Sequence, residues 1–547
     1  MYCSAIGRGG EAAGGQNGTG RTITESQGGG LPTTALDAGR LSTLNWTAID
    51  WFWLSTSRIV RVAKWGRDLD ASTRAINLDP RNWEEFRSTS HAALDRMINH
   101  LKSTRERPVW TQTPDSVQDR FQTKLPRAPR AFKDVLSDFD HFIEPYATGN
   151  THPLFMGWVH GAGTPYGMIA EMLAAGLNAN CGGRNHIGIS VERQITLWVA
   201  EALGFPANAS GLFVTGSSMA NFIALLVART QVAGVGVRRS GVRATDRRLI
   251  AYASAEAHQC VGRAMELAGL GSDNLRLIAT DLSRSLRADA LVAAIDADIA
   301  AGHAPFLIVG TAGTVNTGAI DPLDSIADIA RDKNIWFHVD GAIGAAIALS
   351  PKLRPLLRGI ERASSVALDF HKWMQVPYDA GFVIARDQQA QLRTFASDAA
   401  YLSRAEMGLA AGEVWPCDLG PDLSRGFRAL KTWITFETLG ADAIGRCMEQ
   451  NCDSARYLAE RLADDNVLEL RAPVALNIVC FSVKGSETGS RNCRIVEDLH
   501  VSGLAAPSLT FVDGQPTIRA AIVNHRTTRA DIDRFVVALN DSARGED

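Results

Sequence analysis

Between residues 211 and 385, short apolar runs alternate with stretches whose apolar residues recur every three or four positions. Gly211 to Thr215, Leu249 to Ala253, Phe306 to Val309, Ile335 to Val339, Val366 to Leu368 and Phe382 to Ala385 read as strands buried on both faces. The intervening segments read as amphipathic helices. Met219, Phe222, Ile223, Leu226 and Val227 fall at i, i+3, i+4, i+7 and i+8, and Leu323, Ile326, Ala327 and Ala330 share one face. A further helix is expected from about Val261 to Leu270. Upstream, helices are predicted from about Pro165 to Leu177 and from about Val191 to Leu203. Downstream, strands Leu476 to Val483 and Thr517 to Val523 precede a closing helix from Arg529 to about Leu539. Strand and helix in alternation imply an α/β fold with a mostly parallel sheet covered on both faces. In such a sheet the loops at the carboxyl ends of the strands line the site.

The flanking segments differ in character. Residues 1–75 open with a stretch rich in Gly, Ser and Thr and show no motif; they are expected to be disordered or an extension outside the working protein. Residues 76–150 carry a helix opened by Asp79-Pro80, with Trp83, Phe86, Ala93, Leu94, Met97, Ile98 and Leu101 mostly at helical spacing. Prolines 108, 114, 126 and 129 then break the chain into short pieces, as in an arm laid over another surface. Residues 151–435 form the expected large domain and 436–547 a small α+β domain. Within the former, Tyr401 opens a Gly- and Ala-rich loop reaching Asp418, long enough to be functional or mobile.

Composition narrows the function classes. The chain has 547 residues, 46% hydrophobic and 21% charged, with a formal net charge of -3. That balance gives no electrostatic reason to bind nucleic acid or an anionic membrane. No run is long enough for a membrane-spanning helix, and Met1-Tyr2-Cys3-Ser4 does not open a secretory signal. The eight cysteines are scattered, with no CxxC and no zinc-ligand spacing. They read as reduced thiols of a cytoplasmic protein without a metal centre.

Four polar features terminate strands of the one sheet. Gly216-Ser217-Ser218 lies between a strand and a helix, where backbone N–H groups and hydroxyls suit a phosphate. His258 follows the second strand, Asp340 ends the fourth, and Lys372 sits in the turn Asp369-Phe-His-Lys-Trp373. Taken singly, Asp340 reads as a helix cap, His258 as a satisfied core histidine and Lys372 as a surface charge. Together they describe a pyridoxal phosphate site. The amine of Lys372, desolvated and of lowered pKa, condenses with the cofactor aldehyde. Asp340 keeps the pyridine nitrogen protonated so that the ring accepts electrons. His258 stacks on one ring face, and Ala342 packs beneath without a clash.

The chain resembles the group II pyridoxal-phosphate-dependent amino-acid decarboxylases, the family of aromatic-amino-acid, glutamate and histidine decarboxylases. The resemblance covers about residues 76 to 545. It rests on Thr148-Gly-Asn-Thr-His-Pro153, Val191-Glu-Arg-Gln194, Thr215-Gly-Ser-Ser-Met-Ala-Asn221, Glu256-Ala-His258 and Gly313-Thr-Val-Asn-Thr-Gly-Ala-Ile-Asp-Pro322. It rests also on His338-Val-Asp-Gly-Ala342, Asp369-Phe-His-Lys-Trp373 and Arg425-Gly-Phe-Arg-Ala-Leu-Lys431. Met219 stands where that family commonly has Glu, and Gly341 where it has Ala. The resemblance implies the fold-type I pyridoxal enzyme architecture and a homodimer with sites at the interface. It also implies conversion of an L-amino acid to its amine and carbon dioxide. By the same resemblance Ser217, Ser218 and His371 contact the phosphate, and Thr314 and Asn316 lie in the cofactor-contacting loop. Tyr401, in Asp398-Ala-Ala-Tyr-Leu402, matches a loop tyrosine associated with returning a proton to the substrate carbon. Relatives with phenylalanine there tend towards oxidative, aldehyde-forming chemistry.

The substrate is less constrained. The polar stretch Asn178 to His186 replaces the apolar and aromatic walls of the aromatic-amino-acid enzymes, and offers Asn180, Arg184 and His186 to a polar or acidic side chain. Arg425 is a fourth candidate substrate contact. An aldehyde synthase, another lyase or transaminase of the same fold, and a silent cofactor-binding relative remain the alternatives.

Overall fold

The computed structural model describes residues 77–397, 402–412, 414–485 and 489–544. The expectations for residues 1–75 and for Tyr401 lie outside the described residues. Residues 85–547 form one compact unit. Its larger sheet has seven strands: β1 (Ser210–Val214), β2 (Leu249–Ser254), β3 (Leu275–Ile278), β4 (Ala304–Thr311), β5 (Trp336–Asp340), β6 (Ser365–Asp369) and β7 (Gly381–Ala385). They lie in the order β1-β7-β6-β5-β4-β2-β3. Strands β3, β2, β4, β5 and β6 are mutually parallel, and β7 runs antiparallel to both β6 and β1. Two reversals leave β1 parallel to β6. The carboxyl ends of β1, β2, β4, β5 and β6 therefore meet at one edge of the sheet.

A second sheet of four strands is antiparallel throughout, in the order β10-β11-β9-β8. Its members are β8 (Leu468–Leu470), β9 (Ile478–Val483), β10 (Ser508–Val512) and β11 (Gln515–Ala521). The helix Arg428–Leu439 runs through residue 436, where the sequence suggests a domain boundary. Strands β3, β8 and β10 escape the hydrophobic pattern because they are short and partly exposed; Leu277 of β3 is 63% exposed. No helix among the described residues is long and apolar enough to cross a membrane.

The helices begin and end where local chemistry dictates. Helix Pro165–Leu177 has proline in its first turn, Thr164 accepting from the Gly167 N–H at 3.0 Å, and Asn178 closing it in the left-handed region. Helix Ser217–Ala233 packs on β6 and β7 through Ala220, Ile223, Ala224, Val227 and Ala228. That stripe is rotated by about one residue from the one read off Met219 and Phe222, because alanines let the helix axis approach the sheet closely. Close approach also requires glycine opposite glycine: a Cβ on Gly381 would lie 2.3 Å from the Gly216 Cα.

One buried ion pair fastens the polar stretch 178–186 to the sheet. The Arg425 side chain is 1% exposed and donates to Glu192 through Nη2 at 2.6 Å and Nη1 at 3.1 Å. It also donates to the Cys181 and Phe213 carbonyls, both at 2.8 Å. Glu192 Oε1 accepts the Phe213 N–H at 3.0 Å. Arg425 is thus committed to the scaffold, which corrects its reading as a substrate contact. Leaving Glu192 unpaired by Arg425→Met should cost about 3–5 kcal/mol in urea unfolding. Replacing both partners by apolar residues should recover most of that loss; equal stability of the single variant and wild type would contradict the role.

Candidate active site

Strand β6 ends at Asp369, and the turn beyond it brings Lys372 back over that residue. Lys372 Nζ lies 2.8 Å from Asp369 Oδ2. The other oxygen, Oδ1, accepts the Ser217 N–H at 2.8 Å. One carboxylate therefore spans the lysine and the first residue of helix Ser217–Ala233. Burial works to lower the Lys372 pKa, but Asp369, aided by Asp340, outweighs it and the net shift is upward. The lowered pKa expected from sequence is not present in this site: Asp369 holds the amine as ammonium until that proton is removed.

The remaining strand ends converge on the same cavity, of about 420 Å³. Ser217, Ser218, His258, Asn316, Asp340, Ala342, His371 and Lys372 all line it. Gly161 holds a neighbouring loop against the lysine turn, since a Cβ there would lie 2.3 Å from the His371 carbonyl oxygen. His371 Nδ1 accepts the Ala380 N–H at 3.0 Å, and its ring lies 4.3 Å from that of Tyr378. Burial lowers the His371 pKa more than Asp369 raises it, leaving a neutral ring with Nε2–H. His258 Nδ1 likewise accepts the Cys260 N–H at 3.2 Å. Its pKa is lowered by burial, against the pull of Asp340. Asp340 receives Asn221 Nδ2 at 3.0 Å on one oxygen and the Ala342 N–H at 3.2 Å on the other.

Thr314 does not join them. It is fully buried, with its hydroxyl 3.0 Å from Thr317 Oγ1 and accepting the Ala319 N–H at 3.0 Å, so it builds the turn that presents Asn316. Asn180, Arg184 and His186 also lie outside the cavity lining. Asn180 Oδ1 accepts the N–H groups of Gly182 and Arg425, both at 2.9 Å. His186 caps helix Ile187–Leu203 by accepting from Gly188. The Arg184 guanidinium stacks on Trp415 at 4.7 Å, a ring that Arg404 also covers at 3.5 Å. Within the chain the polar stretch is loop architecture, held by these contacts.

Several residues in the cavity escape a sequence reading. Arg519 on β11 is 3% exposed and lines it. Its Nε donates to the Asn316 carbonyl at 3.2 Å and Nη1 to the Trp158 carbonyl at 2.9 Å, while Nη2 is buried without a partner. Among the described residues no carboxylate pairs with it, and burial pushes its pKa down to about 10. The available signal was one arginine inside the apolar run Thr517 to Val523. Trp158, His160 and Tyr378 form an aromatic wall. The His160 ring stacks with Trp158 at 5.7 Å and Phe155 at 5.6 Å, and meets Tyr378 edge-on at 5.8 Å.

The cavity fits a phosphorylated aldehyde cofactor. It offers an amine, a carboxylate with both oxygens fixed, and two buried hydroxyls without partners, Ser217 Oγ and Thr311 Oγ1, for an anionic group. The positive end of helix Ser217–Ala233 faces the same place. The sequence profile of the pyridoxal-dependent decarboxylase conserved domain matches residues 114–484. The chain belongs to that family. It is a pyridoxal-phosphate-dependent amino-acid decarboxylase, a carboxy-lyase.

Known proteins are similar to this decarboxylase in sequence and in fold. It is 32% identical to the aromatic-L-amino-acid decarboxylase of Bacillus atrophaeus over 471 residues, 83% of this chain and 95% of that one. It is 31% identical to the 3,4-dihydroxyphenylacetaldehyde synthase of Drosophila melanogaster, over 74% of this chain and 81% of that one. The fold superposes on Oryza sativa TDC, solved with PLP and tryptamine, with a TM-score of 0.78 at 23% identity, covering 86% and 99% of the two chains.

Two substitutions probe the assembled site. Lys372→Ala should lose the visible absorbance of the bound cofactor; a full band would contradict its role. Ser217→Ala should weaken cofactor binding roughly tenfold to hundredfold, as expected for removing a hydrogen bond to a charged group. Unchanged affinity would place the phosphate elsewhere.

Proposed function

We propose that the substrate is an aromatic L-amino acid, released as its arylalkylamine and carbon dioxide. The observation that carries this is the aromatic wall of Trp158, His160 and Tyr378 on the same cavity as Lys372 and Arg519. A planar side chain gains both apolar burial and ring stacking against such a wall. The similarity to the Bacillus atrophaeus aromatic-L-amino-acid decarboxylase supports the same class.

The roles divide by chemistry. Bound in this cavity, pyridoxal phosphate supplies an electron sink for the pair left on the substrate α-carbon when carbon dioxide departs. Lys372 carries the cofactor, and Asp340 meets its ring nitrogen. His258 and Ala342 pack on either side of the ring. Ser217, Ser218 and His371 take the phosphate, with Asn316 at the cavity wall. Arg519 receives the substrate α-carboxylate through its unpartnered Nη2. That carboxylate loses its charge as the bond breaks, so Arg519 serves mainly to bind and orient. Tyr401, by the family resemblance, returns one proton to the α-carbon and thereby completes the amine.

The protein acts as a homodimer in a cytoplasmic setting. Supporting the first, helix Phe132–Phe142 buries none of its residues, and helix Pro165–Leu177 exposes Tyr166, Met172, Leu173 and Leu177, apolar surface that a second copy covers. Supporting the second, the seven described cysteines are free thiols.

A screen of L-amino acids for carbon dioxide, amine, aldehyde and oxygen uptake tests the reading. Aromatic substrates should give equimolar carbon dioxide and amine; preference for glutamate or aspartate would overturn it. Arg519→Met should raise KM about tenfold to hundredfold. Tyr401→Phe should divert product to aldehyde, ammonia and peroxide with oxygen consumed, and an unchanged amine yield would remove Tyr401 from the mechanism.

A further inference from the structure

Behind Asp340 lies a file of buried polar side chains that leads away from the cavity. Strands β5 and β6 are paired so that His338 lies beside Ser365. His338 Nδ1 is 2.9 Å from Ser365 Oγ, and its Nε2 is 2.7 Å from Asn221 Oδ1. Asn221 Nδ2 in turn donates to Asp340 Oδ2 at 3.0 Å, and also reaches Cys260 Sγ at 3.2 Å. At the far end Trp336 Nε1 donates to Ser365 Oγ at 2.9 Å. Asn221, His338, Asp340 and Ser365 are all buried, none more than 4% exposed.

Chemistry fixes the direction of this file. Indole is a donor only, so Ser365 Oγ accepts from Trp336 and has its own proton free for His338 Nδ1. The Asn221 amide has one workable orientation, because a flip would aim its carbonyl at the Asp340 carboxylate. Its carbonyl therefore requires Nε2–H on His338. Burial pushes the His338 pKa down to about 3, which leaves the neutral ring as the species present. Each donor then points towards Asp340, and a buried network with every member satisfied is rigid.

We propose that His338 is a positioning residue for the cofactor: held as the Nε2–H tautomer by Ser365, it locks the Asn221 amide, which fixes the Asp340 carboxylate facing the cavity. No atom of His338 touches the cavity, so the effect passes through Asn221. The proposal rests on Asp340 meeting the cofactor ring nitrogen.

The test titrates apo-protein with pyridoxal phosphate and measures its dissociation constant. The visible spectrum of the loaded protein against pH and the unfolding midpoint of the apo-protein are recorded alongside. Asn221→Ala and His338→Phe should each raise the dissociation constant about tenfold. The double variant should be no worse than either, since both cut one chain of contacts. His338→Gln keeps a donor for Asn221 and should stay within about threefold of wild type. If His338→Phe does not fold, Ser365→Ala takes its place in the cycle and should show the same dependence on Asn221. Additive losses in the double variant would overturn the proposal. So would a lowered apo unfolding midpoint with cofactor affinity and spectrum intact, which marks a merely structural role. Asp340→Asn separates the two readings. If it changes affinity and spectrum while Asn221→Ala does not, the positioning role fails alone; if it changes neither, the assignment of Asp340 fails with it.

Discussion

Asp369 holds two charges' worth of architecture on one carboxylate. One oxygen lies 2.8 Å from the Lys372 amine and the other accepts the Ser217 N–H at 2.8 Å. The side chain is only 2% exposed, and such a buried anion persists because both oxygens are engaged and a cation is in contact. Its lowered pKa, despite the opposing effect of burial, reflects first the neighbouring Lys372. Because the contact joins the end of β6 to the start of helix Ser217–Ala233, the amine and the serine turn are set relative to each other by a single residue. The seven-stranded sheet supplies the rest: parallel strands bring Asp340 from β5 and the loop after β2 to the same edge.

Buried polar groups serve both the scaffold and the cavity. Away from the cavity, the Glu192–Arg425 pair binds through both arginine Nη atoms and both carboxylate oxygens. Groups facing the cavity keep open valences: Ser217 Oγ, Thr311 Oγ1 and Arg519 Nη2. An unmet buried donor is costly, so a native site that retains three around one cavity is built for a ligand that meets them. The two acceptor-poor regions match the two anionic ends of the chemistry, a phosphate and a substrate carboxylate.

Much of this was legible in the sequence. Strand ends carry function in a parallel sheet, so Lys372, Asp340, His258 and the serine turn could be placed together from periodicity alone, with the family resemblance naming their roles. Exposed polarity misled where it lay in a loop: Asn180, Arg184 and His186 look available in one dimension, yet their partners are Arg425, Trp415 and the backbone nearby. Arg519 is not legible in the sequence because its neighbours in space, Trp158 and Asn316, lie some 361 and 203 residues away. Thr314 shows the limit of carrying a loop over whole, since only Asn316 of that pair reaches the cavity. The raised pKa of Lys372 is hidden from the sequence for a similar reason: desolvation is evident from an apolar strand, whereas the opposing carboxylate of Asp369, although three residues away in sequence, acts through a turn whose geometry the pattern does not specify.

The most direct measurement of the central claim is borohydride reduction of the cofactor-loaded protein, followed by proteolysis and mass spectrometry of the peptides. Reduction fixes the cofactor to whichever lysine holds it. The phosphopyridoxyl group should appear on the peptide containing Lys372 and on no other. Its appearance on a different lysine, or a loaded protein that yields no modified peptide, would contradict the account.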